Sequence, residues 1–406
     1  MWEQIRVNRR NSILLLGMMA LALAGLGFVL GLAFGGPDGG FIGLIIATAV
    51  WLVLMLVSFA GGDQILLASS KAVPVTHDVH PQLFNVVEEM KIAANLPKMP
   101  KVYIINEMAP NAFATGRSPE SASVAVTAGL LAKLNRDELQ GVIAHEVSHI
   151  VNRDILFVTL AGVMLGSIVL LSQVFLRSMF YSSMGSSRRY SSRSSSNQGG
   201  GQIVMIVIAL IAAILAPIMA QLLYFALSRR REYLADAGAV RLTRYPEGLA
   251  SALEKIAGDR TPLEAANNVT APMYISMPFK GRKAAHLHST HPPIEERIRV
   301  LRNMSRGASF KDYSDSYSQT VGKASIVPPS AVKAAEPVEL RGASAEAGRQ
   351  ESRHTQQRQA GDIMRKVGGF AFLTCDCGIK MKVPPNFKGD KVKCPRCGRI
   401  SSVHGQ

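Results

Sequence analysis

The chain has 406 residues, of which 48% are hydrophobic and only 18% are charged, with a formal net charge of +16. All four cysteines lie near the C-terminus and none in the bulk of the chain, so nothing suggests a secreted fold held together by disulfides. The basic residues gather at the ends of apolar blocks and in the last hundred residues instead of forming one stripe, so we expect anionic lipid and no nucleic acid as a partner.

Two uncharged apolar blocks, 12–34 and 41–60, open the chain after three arginines. A membrane span needs about 20 apolar residues, and the first block is too long for the apolar region of a signal peptide, which reaches about 15. The turn between the blocks contains Pro37 and no basic residue. The segment 1–62 therefore predicts a transmembrane hairpin with both ends in the cytoplasm, because basic residues stay on that side.

A segment of mixed composition, 63–154, follows the hairpin. Apolar residues at helical spacing predict a helix over 81–94, and β-like runs predict strands at 101–105 and 121–127. The last run is short and alternating. We therefore expect it to be an edge strand, to which an extended peptide could add through main-chain hydrogen bonds.

Two further apolar blocks, 155–176 and 203–227, contain more polar residues, and the loop between them carries four arginines. If both blocks cross the bilayer, this basic loop lies outside, against the usual charge distribution. We expect a second hydrophobic hairpin over 155–227. It spans the membrane, lies at the membrane interface, or is partly sheltered by the folded domain.

Three segments complete the chain. Soluble composition returns over 228–306, and 307–368 is rich in Ser, Ala, Gly, Gln and Pro with little apolar periodicity. The latter predicts a flexible linker, because it has too little apolar surface to bury. A last small unit is expected over 369–406.

A metal-binding pattern stands in the helix predicted to start at Asn135. Asn135 and Glu138 match a capping box, and His145, Glu146 and His149 form the pattern HExxH. Residues four apart share one face of a helix, so both imidazoles can hold the same zinc ion. Glu146 lies one residue further round, where it can take a proton from a water molecule and pass it to the leaving amine.

A catalytic zinc site needs a third protein ligand beside its open position. Glu232 and Asp236 stand four residues apart in an Arg-rich helical segment directly after the fourth apolar block. We expect Glu232 to complete the ligands, and Asp236 to accept the second ring N–H of a ligand histidine. The segments 63–154 and 228–306 then form one catalytic domain of a metalloendopeptidase. The alternative is that both acids are solvated partners of the neighbouring arginines.

These motifs resemble the HtpX-type membrane metalloproteases, relatives of the zinc CAAX prenyl proteases. The resemblance covers about residues 1–304 and includes, besides HExxH, the segments 228–236, 111–116, 124–131 and 290–293 with Arg297 and Ile298. It implies a predominantly α-helical, multi-pass protein of the cell (inner) membrane. It also implies a zincin-like (gluzincin) domain that faces the cytoplasm and cleaves misfolded or damaged membrane proteins. Its zinc ligands correspond to His145, His149 and Glu232, and its catalytic glutamate to Glu146.

Other residues are candidates for contacts with the substrate. We expect the cleft to be lined by the loop at 111–116 and the strand at 121–127, namely by Asn111, Ala112, Phe113, Ser123, Val124 and Ala125. Ordinary packing and turn chemistry are the alternative. His291 precedes two prolines on a rigid turn, where it stabilises an oxyanion, swings in as a resting fourth ligand, or is only a turn residue.

A second metal site is predicted near the C-terminus. The pairs Cys375/Cys377 and Cys394/Cys397 stand on glycine-containing turns sixteen residues apart. The spacing resembles a small β zinc ribbon, in which a structural zinc ion supplies the folding energy, so we expect one catalytic and one structural zinc. Disulfides or free thiols are the alternative, which a cytoplasmic location disfavours.

The favoured function is a zinc-dependent endopeptidase that is embedded in the lipid bilayer and acts on polypeptides, chiefly membrane proteins. A membrane adaptor or pseudoprotease, whose zinc ribbon recruits a partner, is the alternative from a different class. Processing of prenylated proteins is a third reading, but it normally demands more transmembrane blocks than this chain contains.

Overall fold

The computed structural model describes residues 2–185, 199–263, 274–276, 292–305, 307–322, 336–344 and 352–403, with single residues at 327, 329 and 332. Its first element, α1 (Trp2–Ser69), consists of two apolar helices, because the backbone leaves helical geometry at Gly35 and Gly36. Gly36 has a φ of +62°, which glycine adopts without steric cost. Arg9–Ala33 and Gly35–Ser69 are each long and apolar enough to cross a membrane, which agrees with the predicted hairpin.

The two halves of α1 pack backbone to backbone. A Cβ atom added to Gly31 would lie 2.1 Å from the carbonyl oxygen of Gly39, and one added to Gly43 would lie 2.2 Å from that of Gly27. Small residues at such crossings are typical of helices that associate in lipid. Large apolar side chains on the outer faces are exposed, among them Leu14, Leu21, Phe41, Ile45 and Leu56.

Helices α5 (Asp154–Gly185) and α6 (Gly199–Thr243) pack against α1 around a shared apolar core. Their apolar stretches, Met164–Arg177 and Ile206–Ala220, are shorter than those of α1. Within the described ranges, only α1 has the length and composition of membrane spans, so crossing by the second hairpin stays a prediction. Helix α6 runs without a break from its apolar stretch to the segment that contains Glu232.

Five of the described helices surround the core of the predicted catalytic domain. They are α2 (Pro81–Ala93), α3 (Ala128–Lys133), α4 (Arg136–Val151), α7 (Pro246–Gly258) and α8 (Ile294–Arg302). Helix α4 lies at the centre and contacts α2, α6 and α7. Its apolar face, with Val142, Ile143 and Val147, is completely buried. The described chain is mostly helical, as predicted.

A four-stranded sheet supplies one wall of this domain. Its strands are β1 (Ala72–Pro74), β2 (Lys101–Ile105), β3 (Ala112–Thr115) and β4 (Ser123–Thr127), in the order β1-β2-β4-β3. Strand β4 runs parallel to β2 and antiparallel to β3. The prediction that the strand at 121–127 is an edge strand is therefore wrong. Alternation along a strand does not encode the place of that strand in its sheet, and the edge strand beside α4 is β3.

The segment 307–368, predicted to be a flexible linker, contains two helices among its described residues. They are α9 (Phe310–Val321) and α10 (Arg353–Val367). Tyr313 and Tyr317 of α9 belong to the core of the catalytic domain. The linker prediction is wrong for these parts, because composition averaged over a long segment hides a short aromatic stripe at helical spacing.

Residues 336–344, which we call the C-terminal strap, also lie against the catalytic domain. The guanidinium of Arg341 donates to Asp137 Oδ1 at 2.9 Å and to the carbonyl of Thr243 at 2.9 Å. The backbone N–H of Ser344 donates to Asp137 Oδ2 at 2.8 Å. Charged and main-chain hydrogen bonds therefore hold the strap on the domain. Such contacts need no periodic pattern of apolar residues, so the sequence does not reveal them.

The last unit consists of two antiparallel hairpins. Strand β5 (Ala371–Thr374) pairs with β6 (Lys380–Val383), and β7 (Lys391–Lys393) pairs with β8 (Ile400–Ser402). Helix α10 joins this unit to the catalytic domain, because its Asp362 forms an ion pair with Lys382 while α10 packs on α3.

Candidate metal centre

Helix α4 places two imidazoles beside each other. Asn135 and Glu138 form the predicted capping box: each side chain accepts a hydrogen bond from the backbone N–H of the other residue. The helix then continues to Val151, so His145 and His149 lie on one face. Their Nε2 atoms are 3.2 Å apart.

Helix α6 brings the third predicted ligand to this pair. Glu232 Oε2 lies 3.6 Å from His145 Nε2, and Glu232 Oε1 lies 3.5 Å from His149 Nε2. Ligand atoms about 2.0–2.1 Å from a zinc ion at tetrahedral angles lie about 3.3–3.4 Å apart. The spacing of these three donors therefore fits one zinc ion, and two nitrogens and a carboxylate are a donor set that zinc prefers.

Each histidine has a carboxylate behind its other ring nitrogen. Asp236 Oδ1 lies 3.0 Å from His145 Nδ1, the position predicted for Asp236. Asp154 Oδ2 lies 3.4 Å from His149 Nδ1, a contact that the sequence did not reveal. Such carboxylates accept the second N–H of the imidazole and keep Nε2 available for a metal ion.

The carboxylates also make the site favourable for positive charge. Burial lowers the pKa of His149, but hydrogen bonds to Asp154 and Glu232 outweigh burial and raise it to about 10. Burial likewise lowers the pKa of His145, and Asp236 and Glu232 leave it raised. An electrostatic environment that stabilises a proton on each imidazole also stabilises a cation between them.

Arg297 is the residue of the site that sequence reasoning missed. Its Nε and Nη2 donate to the two oxygens of Asp236 at 2.8 and 2.7 Å, and its Nη1 lies 3.2 Å from Glu232 Oε2. Burial raises the pKa of Asp236, yet the charge of Arg297 lowers it overall. The arginine therefore keeps Asp236 ionised. In the sequence, Arg297 belongs only to a segment that resembles the HtpX-type proteases. That resemblance implied no role for Arg297.

Glu146 lies on the inner side of the candidate centre. Its carboxyl group is buried and accepts a hydrogen bond from the backbone N–H of Ala114. Burial raises its pKa, while the charges of His145 and His149 act in the opposite direction. A carboxyl group with a raised pKa at this place suits the transfer of protons near neutral pH.

Strand β3 borders the site with the edge that no other described strand pairs. The outward carbonyl of Ala112 accepts a hydrogen bond from the N–H of Ile275 at 2.9 Å. The side chain of Asn111 donates to the carbonyl of Ser276 at 2.9 Å, so it holds the segment 274–276 against this edge. Phe113 packs edge-to-face on Tyr274.

The other predicted contact residues have different positions. Ser123, Val124 and Ala125 are buried in the interior strand β4, whose main chain is already paired on both sides. His291 lies outside the described residues.

Comparisons with known proteins agree with this geometry. The profile of peptidase family M48 matches residues 78–305. A protease HtpX homolog of Dictyoglomus turgidum is 49% identical over 265 residues, which are 65% of this chain and 83% of that protein. One of Caldanaerobacter subterraneus subsp. tengcongensis is 44% identical over 305 residues, 75% of this chain and 98% of that protein.

The chain belongs to peptidase family M48. Its M48 segment contains all residues described at the candidate centre: His145, Glu146, His149, Asp154, Glu232, Asp236 and Arg297. Among solved structures, S. mikatae Ste24p aligns over 63% of this chain and 57% of that chain. That alignment has a TM-score of 0.36 and 22% sequence identity. Membership of M48 supports a metalloprotease, the class that the HExxH pattern predicts.

A second cluster of possible ligands lies beyond the M48 segment. Cys375 Sγ is 3.4 Å from Cys397 Sγ, and Cys377 Sγ is 3.6 Å from Cys394 Sγ. These distances exceed a disulfide bond and are close to the about 3.8 Å expected around a tetrahedral zinc ion. Backbone N–H groups of Cys397 and Arg396 lower the pKa of the Cys394 thiol to about 6, which favours the thiolate.

Proposed function

We propose that the chain is a membrane-bound, zinc-dependent endopeptidase with a zincin-like catalytic domain. The observation that carries the proposal is the convergence of His145, His149 and Glu232, whose donor atoms all lie within 4.8 Å of one another. The presence of Glu146 beside these donors supports hydrolysis over simple metal storage. When bound, zinc supplies Lewis acidity at the scissile carbonyl.

Glu146 is proposed to act as the general base and then as the general acid. Its carboxylate takes a proton from the attacking water and returns it to the amine that leaves as the C–N bond breaks. The backbone of Ala114 lies beside this carboxylate and acts to lower its pKa. Asp236 and Asp154 keep both imidazoles in the tautomer that leaves Nε2 available.

The substrate is proposed to bind as an extended peptide along β3. Strand β3 is an edge strand, and its register with β4 turns the main-chain groups of Ala112 and Ala114 away from the sheet. Those of Ala112 are already bonded to Ile275 and to the side chain of Asn111, so the proposed peptide pairs at Ala114. Ala114 also contacts Glu146, so a peptide beside this edge has its backbone next to the proposed base. This proposal replaces the expectation that the strand at 121–127 binds the substrate.

Membrane or misfolded proteins are the proposed substrates, cleaved on the cytoplasmic side of the cell membrane. Two apolar helices preceded by arginines support this location, together with relatives that carry the name protease HtpX homolog. The four cysteines are proposed to hold a second, structural zinc ion in a zinc ribbon, because all four donors are protein thiols and leave no position open.

The replacement Glu146→Gln tests the proposed chemistry. It keeps the size of the side chain but removes the base, so cleavage of a labelled membrane protein in vesicles should fall by about 10²-fold or more. Zinc content, measured by metal analysis, should stay at the wild-type value. Glu88→Gln is the matched control, since Glu88 is exposed on α2 and its replacement should change neither quantity.

Two outcomes contradict the proposal. Undiminished cleavage by the Glu146→Gln variant removes Glu146 from the mechanism. A wild-type protein that retains zinc at the α4 site but cleaves nothing favours the adaptor or pseudoprotease.

A further inference from the structure

A cavity of about 700 Å³ lies where the first turns of α1 meet the junction between α4 and α5. Its lining contains four arginines and no acidic residue: Arg6, Arg9, Arg117 and Arg153. All four are exposed, and like charges around one cavity favour an anion placed between them. Their convergence therefore points to an anionic ligand.

The remaining lining is mostly apolar and lies deeper along the same helices. Ile13 and Leu16 come from α1, and Leu156, Phe157 and Leu160 come from α5. The apolar segment of α1 begins at Arg9, so the arginines stand at the boundary of the hydrocarbon region. The cavity thus has a cationic mouth at headgroup level and an apolar floor within the span.

Arg117 holds the mouth of the cavity in place from the side of the catalytic domain. Its guanidinium donates to the carbonyl of Phe59 at 3.4 Å and lies 6.0 Å from the centre of that ring. Phe59 belongs to the second apolar helix of α1. The arginine is therefore anchored at the membrane boundary, and its charge still faces the cavity.

We propose that this cavity binds one anionic phospholipid. The phosphate lies among the four guanidiniums, which bind phosphate oxygens in a forked geometry, and one acyl chain lies along the apolar floor. A phosphate-containing solute would satisfy the mouth but not the floor, whereas a phospholipid satisfies both. Basic pockets between helices at the cytoplasmic surface have the chemistry that anionic headgroups require.

The proposed lipid site is connected to the candidate metal centre by a chain of contacts. Ser12, which lines the cavity, accepts a hydrogen bond from Arg231 at 2.6 Å. The Nε atom of Arg231 lies 3.6 Å from Asp154, which in turn holds His149. The guanidinium of Arg231 also lies 3.5 Å above the ring of Phe157 in the cavity wall. Occupancy of the cavity should therefore affect the metal ligands.

Lipid binding by the purified full-length protein tests this site without reference to proteolysis. Native mass spectrometry counts the phosphatidylglycerol and phosphatidylcholine molecules retained from mixed micelles. The double variant Arg117→Gln/Arg153→Gln should retain phosphatidylglycerol about 10- to 30-fold less, since each arginine near an anionic headgroup contributes about fivefold. Arg10→Gln is the matched control, because Arg10 is exposed on the same helix as Arg9 but does not line the cavity.

A second variant distinguishes a lipid from free phosphate. Ile13→Trp fills part of the apolar floor and is sterically acceptable, since Ile13 is 60% exposed. It should reduce retention of phosphatidylglycerol but leave the binding of inorganic phosphate unchanged. Equal retention of the two lipids by the wild type would overturn the proposal, as would an equal loss in Arg10→Gln.

Two further results would also overturn it. Displacement of the lipid by millimolar inorganic phosphate would reduce the site to a phosphate site. Displacement by an acidic peptide, with no lipid preference left, would assign the cavity to a polypeptide.

The coupling to the metal centre rests on the proposed protease function and is tested by a separate measurement. Cleavage should be faster in vesicles that contain phosphatidylglycerol, and this difference should disappear in Arg117→Gln/Arg153→Gln.

Discussion

Arg297 and Asp236 form a bidentate ion pair in which both side chains are 0% exposed. The pair lies directly behind His145, because Asp236 also contacts His145 Nδ1. Two buried carboxylates, Asp236 and Glu232, share this single guanidinium. The charge balance of the candidate centre therefore depends on a residue from α8 that is not among its proposed ligands.

Removal of Arg297 should destabilise the domain strongly. Arg297→Met leaves the buried carboxylate of Asp236 without its cation, which costs about 3–5 kcal/mol in the free energy of unfolding. Denaturant unfolding of the zinc-loaded protein measures this loss. The control is Arg302→Gln on the same helix: its ion pairs with Glu247 and Glu254 are exposed and should contribute about 1 kcal/mol or less. Equal losses in the two variants would contradict this account of Arg297.

Metal analysis should find two zinc ions in each wild-type chain. Glu232→Ala should retain one, because the α4 site then has only two protein ligands, and Cys394→Ser should retain the other. The double variant should retain neither. A single zinc ion in the wild type, lost on removal of residues 369–406, would refute the assignment of a metal ion to His145 and His149.

The contribution of Asp137 to stability should depend on pH. Burial raises its pKa, but hydrogen bonds from Ser344 and Arg341 lower it overall. The stabilisation is therefore complete above the unfolded pKa of about 3.9 and is lost as the pH falls through the lower folded value. The difference in Tm between wild type and Asp137→Asn should be large at neutral pH and shrink below about pH 4.

The control for this pH effect is Asp315→Asn. Asp315 forms an exposed pair with Lys311, so its replacement should shift Tm little at any pH. A Tm difference for Asp137→Asn that stays constant down to pH 3 would show that the ionised carboxylate does not hold the C-terminal strap.

We expect Asn111 to stabilise the edge strand β3. In Asn111→Ala, the backbone N–H and carbonyl of Ser276 lose their partner, which costs about 1–3 kcal/mol in unfolding free energy. Asn303→Ala removes one exposed hydrogen bond to Thr320 and serves as the control. If Asn111→Ala changes KM alone and leaves stability intact, Asn111 contacts the substrate instead.

The helical part of the site was predictable because its information is local. Four-residue spacing and a capping box place His145 and His149 on one face, and the same spacing links Glu232 with Asp236. The contacts of Arg297 depend on how α8 approaches α6, which no local pattern encodes. Arg153, which directly precedes Asp154, has a positive φ of 57°. This turn sets the direction in which the side chain of Asp154 points.

The two wrong predictions about the fold also concern features that local sequence patterns do not encode. The order of strands in a sheet is a long-range property, so the interior position of β4 could not be derived from its alternation. The average composition of 307–368 hides Tyr313 and Tyr317, which supply enough aromatic surface to hold one helix on the domain. Short stripes therefore need to be searched for within polar segments.

The unbroken course of α6 has a geometric consequence. From Ala220, where its apolar stretch ends, to Glu232 the rise of 1.5 Å per residue amounts to about 18 Å. The helix therefore fixes the distance between the end of this apolar stretch and the carboxylate of Glu232. Under the proposed function, and with this apolar stretch in the bilayer, the centre would cut only those peptide bonds of a membrane-anchored substrate that reach about 18 Å beyond the end of the stretch.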